Sequence, residues 1–223
     1  MFTGIVEHQG TLEALDRAGS GGRVTIHSRS LASSLAIANS IAVNGCCLTI
    51  VSVEKDRFSA DLSAETMAKT SFGAKNGALK NGVRVNLEQP LTAGKEFGGH
   101  FVLGHVDVTG RVVSLAAENG NSSNWIYGVE VPEEFARYIV PKGSITIDGI
   151  SLTVANWSPR TRIVEIAVIP YTYEHTNIRD RQPGDAVNLE GDVLGKYVER
   201  YLETRNAIPA SNLTLARLRE EGF

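Results

Sequence analysis

Ser40-Ile41-Ala42-Val43-Asn44-Gly45-Cys46-Cys47-Leu48-Thr49 is written a second time as Ser144-Ile145-Thr146-Ile147-Asp148-Gly149-Ile150-Ser151-Leu152-Thr153. Five of the ten positions are identical, and Val43/Ile147 and Asn44/Asp148 are near-equivalents. Each copy places Asn-Gly or Asp-Gly between two apolar runs. Those dipeptides accept positive φ at both central positions, which a two-residue hairpin turn requires. The stretch therefore reads as a β-hairpin, made twice.

The repeat extends through the chain. Gly4-Ile5-Val6-Glu7-His8-Gln9-Gly10 matches Gly104-His105-Val106-Asp107-Val108-Thr109-Gly110 in its glycines, its valine and its acid. Thr66 and Thr70 return as Thr172 and Thr176. Gly82 with Val85-Asn86-Leu87-Glu88 returns as Gly184 with Val187-Asn188-Leu189-Glu190. Four matches in one order mark an internal duplication. Val24-Thr25-Ile26, Arg84-Val85-Asn86-Leu87, Ile145-Thr146-Ile147 and Arg162-Ile163-Val164-Glu165-Ile166 alternate with the period of strands. Many short strands in about 100 residues predict a small closed antiparallel barrel per copy. The fold expected is mainly β: two homologous six-stranded barrels over 1–97 and 98–191, then a C-terminal helix and tail over 192–223. Short helices are expected at Thr66–Thr70 and at Pro132–Ile139, where Pro132 suits a first turn.

After Asp192, apolar Val193, Leu194, Tyr197, Val198, Tyr201 and Leu202 recur at helical spacing between charged residues. This is an amphipathic helix outside both repeats, and it has two readings. Its stripe packs on another subunit, or it folds back onto the second barrel. The tail carries Pro209 and a short helical pattern through Leu213, Leu215 and Leu218.

The 223 residues hold 22 basic and 25 acidic side chains, a formal charge of −3. That balance lacks the basic excess of a general nucleic-acid binder. Hydrophobic residues make up 42%, as in ordinary globular proteins rather than disordered ones. No stretch approaches the ~20 apolar residues of a membrane helix. Met1-Phe2-Thr3-Gly4-Ile5-Val6-Glu7 lacks the basic start of a signal peptide. Cys46 and Cys47, the two cysteines, are sequence neighbours and make no secreted disulfide framework. A reduced, cytoplasmic protein is the expectation, and the sequons at Asn121 and Asn212 then carry no glycan. Residues 119–124 read as a polar surface loop.

Chemistry is sought where the copies diverge. Side chains alternate after the turn, so Cys46, Leu48 and Ile50 share one face and Cys47 and Thr49 the other. Ser151 and Thr153 occupy the latter places in the second copy. Each barrel thus presents a thiol or hydroxyl two residues before a threonine. A lone cysteine is usually a small buried hydrophobe; a serine at the matched place argues otherwise. His100 and His105 lie an odd number apart and so point to opposite faces of a strand, which disfavours a shared metal. No zinc spacing and no glycine-rich nucleotide loop is present, so no metal and no cofactor is expected. Histidine is the side chain best poised for proton transfer near neutral pH.

The opening Met1–Glu7, Asn44–Thr49, Gly98-Gly99-His100 with Gly104–Asp107, Lys142-Gly143-Ser144, Asp148–Thr153 and Val187–Asp192 together resemble the riboflavin synthase family of α-subunit type. The resemblance spans about residues 1–202. It implies two lumazine-binding barrels and a homotrimer formed through the C-terminal helices. The active site then lies between the N-barrel of one subunit and the C-barrel of its neighbour. The implied reaction is a dismutation of two 6,7-dimethyl-8-ribityllumazine molecules into riboflavin and 5-amino-6-(D-ribitylamino)uracil, by four-carbon transfer and without metal or cofactor. It is the last step of riboflavin biosynthesis.

The resemblance also implies site residues. The first pocket would be lined by Gly4, Ile5, Val6, Cys47, Leu48, Thr49, Asp61, Leu62, Ser63, Ala64, Glu65, Thr66, Gly99, His100 and Phe101. The second would be lined by Lys142, Ser151, Leu152, Thr153, Val168, Ile169, Pro170, Tyr171, Thr172 and Tyr173. His100 is the first candidate for the base. Cys47 and Ser40 would contact or activate the acceptor, and Asp192, Ser151 and Thr153 would act on the partner ring. No spacing separates donor barrel from acceptor barrel. Val43 stands where some members carry histidine. Association with lumazine synthase is a further partnership the resemblance raises. The rival reading is a non-catalytic lumazine or flavin carrier, a kind expected to have lost the groups at Cys47 and His100.

Overall fold

A computed structural model describes residues 1–75, 77, 79–118, 124–206, 215–220 and 222. The first copy contains β1 (His8–Ala18), β2 (Gly21–His27), β3 (Ser40–Val43), β4 (Cys46–Val53), β5 (Arg57–Leu62) and β6 (Arg84–Glu88). They close in the order β1-β2-β5-β4-β3-β6. The second copy contains β7 (Val108–Ala117), β8 (Trp125–Glu130), β9 (Ser144–Ile147), β10 (Ile150–Ser158), β11 (Ile163–Val168) and β12 (Ala186–Gly191). It closes in the same cyclic order.

Both hairpin turns form as the dipeptides dictate. Asn44 and Gly45 take φ of 46° and 74°, and Asp148 and Gly149 take 47° and 79°. The registers match too: Ser40 faces Thr49 and Val43 faces Cys46, while Ser144 faces Thr153 and Ile147 faces Ile150. Even the bulges repeat, between Ile50 and Ser52 in β4 and between Val154 and Asn156 in β10. A bulge bends the strand and lets so few strands close. Arg162, expected in a strand, instead takes φ 55° just before β11, where the chain must turn.

Each barrel has its own core. Leu12, Ile26, Ile41, Ile50, Phe58 and Leu87 fill the first; Val112, Tyr127, Ile145, Ile147, Ile166 and Leu189 fill the second. A third small cluster, Phe2, Ala42 and Val102, with Cys47 against it, joins the two. Burying a side chain like Phe2 is worth about 1.5–3 kcal/mol. Phe2 and Val102 also exchange backbone hydrogen bonds of 2.7 and 3.2 Å. The two turns meet back to back: a Cβ on Gly45 would stand 2.6 Å from the Gly149 nitrogen, and the reverse holds equally.

A buried polar network seals the boundary. Asn86 Nδ2 donates to the Asp148 carbonyl and Asn188 Nδ2 to the Asn44 carbonyl, at 2.9 and 2.8 Å. Asn177 Nδ2 donates to Asn44 Oδ1 and to Asp148 Oδ2. Arg181 forms an ion pair with Asp148, both almost fully buried.

Short helices follow the strands. α1 is Arg29–Ala32, α2 is Ala64–Lys69 and α3 is Pro170–His175. α2 starts two residues before the expected Thr66, because Ser63 caps it by accepting the Thr66 N–H at 3.0 Å. The segment after Pro132 forms a 3₁₀ helix over Glu133–Tyr138. Residues 194–223 constitute a second compact unit, with most of α4 (Val193–Asn206) and α5 (Leu215–Glu220). Leu194, Tyr197, Val198, Tyr201 and Leu202 are exposed on α4. The loop at 119–123, Pro209, Leu213 and both sequons lie outside the described residues. Among those described, no helix is long and apolar enough to cross a membrane.

Candidate active site

Inward residues of β4 are core, so its outer face carries the chemistry. Cys47 lies half-buried on it and Thr49 exposed, with Ala42 and Ser40 opposite them on β3. Beside Cys47 is a cavity of about 370 Å³, lined by Cys46, Glu65, Thr66, Lys69, Thr70 and Gly104–Val106. Lys69 and Thr70 were not among the sequence candidates. Their signal was helical: they sit four residues after Glu65 and Thr66, hence on the same face of α2. Burial, with Cys47 and Glu190 adding, pushes the neighbouring Cys46 thiol up to about 12. That thiol stays protonated and inert.

On the second barrel, Ser151 and Thr153 form the matching outer face, opposite Thr146 and Ser144. His100 is seated here. Its Nδ1 lies 2.7 Å from Ser151 Oγ and its Nε2 3.0 Å from Thr146 Oγ1. Burial holds this imidazole below the ordinary histidine range, and the Asp192 charge opposes that only in part. A neutral ring carries one N–H and one lone pair, so one of these nitrogens donates to its hydroxyl partner and the other accepts from its own.

The grouping of residues differs from the sequence expectation. Gly4, Ile5 and Val6 lie beside Ser151, not beside Cys47: the Gly4 carbonyl accepts the Ser151 N–H at 2.7 Å, and Val6 packs on the second core. Conversely, the Gly104 carbonyl accepts the Cys47 N–H at 2.8 Å, and Val106 packs on the first core. The two segments before β1 and β7 cross over, each lying on the other copy's barrel. Gly99 and His100 travel with Thr3, whose carbonyl accepts the His100 N–H at 3.1 Å. A Cβ at Gly99 would meet that same carbonyl oxygen at 2.0 Å. Phe101 is exposed, 4.7 Å from the Phe97 ring.

Leu48, Leu62, Leu152 and Val168 point into the cores, leaving only main chain for a ligand. Asp61 pairs with Arg23 at 2.7 Å, which holds its carboxyl below the usual range. Lys142 takes φ 65°, and its Nζ donates to the Ala155 carbonyl. Ile169 precedes α3, and Pro170 to Tyr173 form its first turn. Ile169 and Tyr171 are exposed, and Tyr173 stacks on Trp125 at 3.8 Å. Ser40 lines a separate cavity with Asn39, Gln89 and Lys95. Among the described residues no group of three or more His, Cys, Asp or Glu could hold a metal ion.

A model of the lumazine binding domain matches residues 3–90 and again 103–192. The riboflavin synthase of Actinobacillus pleuropneumoniae is 40% identical over 224 residues, covering all of both chains. That of Mycobacterium tuberculosis is 42% identical over 207 residues, 92% of this chain and 99% of the relative. Among solved structures, LumP complexed with riboflavin aligns with a TM-score of 0.76 over 86% of this chain and 99% of its own, at 24% identity. At that identity the likeness concerns the fold alone. With the domain present twice and the synthases matched from end to end, the chain belongs to the riboflavin synthase family.

Proposed function

We propose that the chain is a transferase that dismutates two molecules of 6,7-dimethyl-8-ribityllumazine into riboflavin and 5-amino-6-(D-ribitylamino)uracil. The observation that carries this reading is a pair of equivalent outer faces with different reactive groups, Cys47 on one and the Ser151–His100 pair on the other. Two like heterocycles need two like cradles. Aligning such a pair is worth on the order of 7–11 kcal/mol of the barrier, and positioned proton transfer contributes roughly 10²–10⁴-fold.

In this mechanism His100 removes a proton from the C7 methyl of one lumazine, an acidic position because its anion delocalises into the pteridine. Its buried, neutral ring suits a base working near pH 7. Ser151 relays or holds that proton, and Asp192 and Thr153 bind or protonate the same ring. Cys47 and Ser40 meet the second lumazine. Gly4 to Val6, Thr49, Ser63 to Thr66, Lys142 and Ile169 to Tyr173 supply the surrounding contacts. The protein acts in the cytoplasm as a homotrimer joined through α4, whose exposed Leu194, Tyr197, Val198, Tyr201 and Leu202 suit burial against copies of themselves. The N-barrel of one subunit then faces the C-barrel of the next.

The test is stoichiometric. The purified chain, with nothing added but the lumazine, consumes two molecules for each riboflavin formed. A carrier would bind and change fluorescence without product. His100→Ala lowers turnover by about 10²–10⁴-fold at saturating substrate; full turnover in that variant would remove histidine from the base role.

A further inference from the structure

Each barrel closes its last strand on a buried glutamate that the chemistry above does not use. Glu88 ends β6 and Glu190 lies at the end of β12; they are 4% and 3% exposed. Glutamate is rarely buried so fully without a specific role for its two oxygens. Here both carboxylates accept backbone amides. Glu88 Oε1 accepts from the Thr3 N–H at 2.7 Å and the Thr3 hydroxyl at 2.8 Å, and Oε2 from the Gly4 N–H at 3.0 Å. Glu190 Oε1 accepts from the Leu103 N–H at 2.7 Å, and Oε2 from the Gly104 N–H at 3.1 Å.

What these clamps hold is the crossing pair of segments. Gly4 and Gly104 sit in the left-handed region, at φ 77° and 79°. Their carbonyls take the N–H groups of Ser151 and Cys47, and Thr3 takes that of His100. There is no slack. A Cβ on Gly4 would lie 2.7 Å from Ser151 Cβ, and one on Gly104 2.7 Å from Cys47 Cβ. A glycine that shifts must shift the reactive residue with it.

We propose that Glu88 and Glu190 are positioning residues that act across the barrel boundary. The first barrel's Glu88 fixes the Ser151–His100 pair of the second barrel, and the second barrel's Glu190 fixes Cys47 of the first. The consequence for turnover rests on the reading under Proposed function; the positional claim does not.

Glutamine is the informative replacement. It keeps the shape of glutamate but offers an NH₂ where one oxygen accepted an amide, so donor meets donor. In the full-length chain, the rate of iodoacetamide labelling at Cys47, located by tandem mass spectrometry, reports on the first barrel. The titration of the His100 ring followed by NMR reports on the second. Glu190→Gln changes the Cys47 labelling rate several-fold and leaves the His100 titration in place. Glu88→Gln does the opposite. Glu88→Asp and Glu190→Asp keep both acceptor oxygens and return each readout toward that of the parent chain. They also serve if a glutamine variant does not fold. A general loss of stability would move both readouts in both variants, and that result, or no movement in either, overturns the proposal. Turnover is measured alongside. If the parent chain forms no riboflavin, the reaction assignment fails while the labelling and NMR results still decide the clamp.

Discussion

At the boundary turn of the first barrel stands Asn44, and at that of the second stands Asp148. Both receive the N–H of the last strand: Asn44 Oδ1 from Asn86 at 2.8 Å, and Asp148 Oδ1 from Asn188 at 2.9 Å. Only the second copy is charged, and Arg181 neutralises it. A few residues on, Ala42 faces Cys47 while Thr146 faces Ser151. The alanine leaves room for the Phe2–Val102 contact; the threonine holds His100. The two barrels thus share backbone, register and bulges, and they differ in polar groups on the outer face and at the seam. Inward positions are constrained by close packing. Outer positions are free to differ, and that freedom makes two unlike cradles from one scaffold.

The largest effect is expected where the charge difference is greatest. Arg181→Met leaves Asp148 buried without its cation and costs roughly 3–5 kcal/mol, read from urea unfolding. Adding Asp148→Asn recovers most of that loss, because Asn44 shows that an asparagine fits this turn. A double variant as unstable as the single one would mean that the barrels are not interchangeable at this place.

Next comes the glycine contact. Gly45→Ala forces a Cβ to within 2.6 Å of the Gly149 nitrogen at φ 74°. Strain of this kind costs on the order of 1–3 kcal/mol. Gly149→Ala meets the same distance from the other side and should lose about as much by thermal unfolding. Clearly unequal losses would break the two-fold equivalence of the turns.

The smallest effect is in pH. The His100 imidazole is held below its ordinary value of 6.5 by burial. Well above pH 6.5 it is neutral folded or unfolded and contributes nothing to the pH dependence. As pH falls through 6.5, the unfolded chain takes the proton first and stability drops. His100→Gln should therefore lose less stability than the parent chain between pH 7 and pH 5.5, with urea unfolding as the measure. Parallel curves for the two proteins would place His100 in a wetter setting than its partners Ser151 and Thr146 imply.

Local rules made much of this molecule legible. Asn44-Gly45 and Asp148-Gly149 foretold two turns, alternation gave the outward faces of Cys47 and Ser151, and 3–4 spacing after Asp192 gave α4. Local rules also erred by a small amount where a cap intervenes, as at Ser63. Lys69 escaped notice and Thr70 was read only as a mark of the repeat, because it is the helix that sets both on the cavity. The difference that matters concerns Gly4–Val6 and Gly99–His100: the family resemblance groups them with Cys47, and the tertiary structure sets them beside Ser151.

What the amino-acid order determined alone was the duplication, the strands, the turns and the side chains available for chemistry. The strands, the turns and the available side chains depend on residues within a few positions of one another, and the duplication on setting one half of the chain above the other. Which copy's segment lies on which barrel was decided only in three dimensions. Gly4 meets Ser151 and Gly104 meets Cys47 because two cores, a back-to-back turn contact and two buried carboxylates pull the segments across. Periodicity carries no trace of such long-range contacts, since either segment would look the same on either barrel.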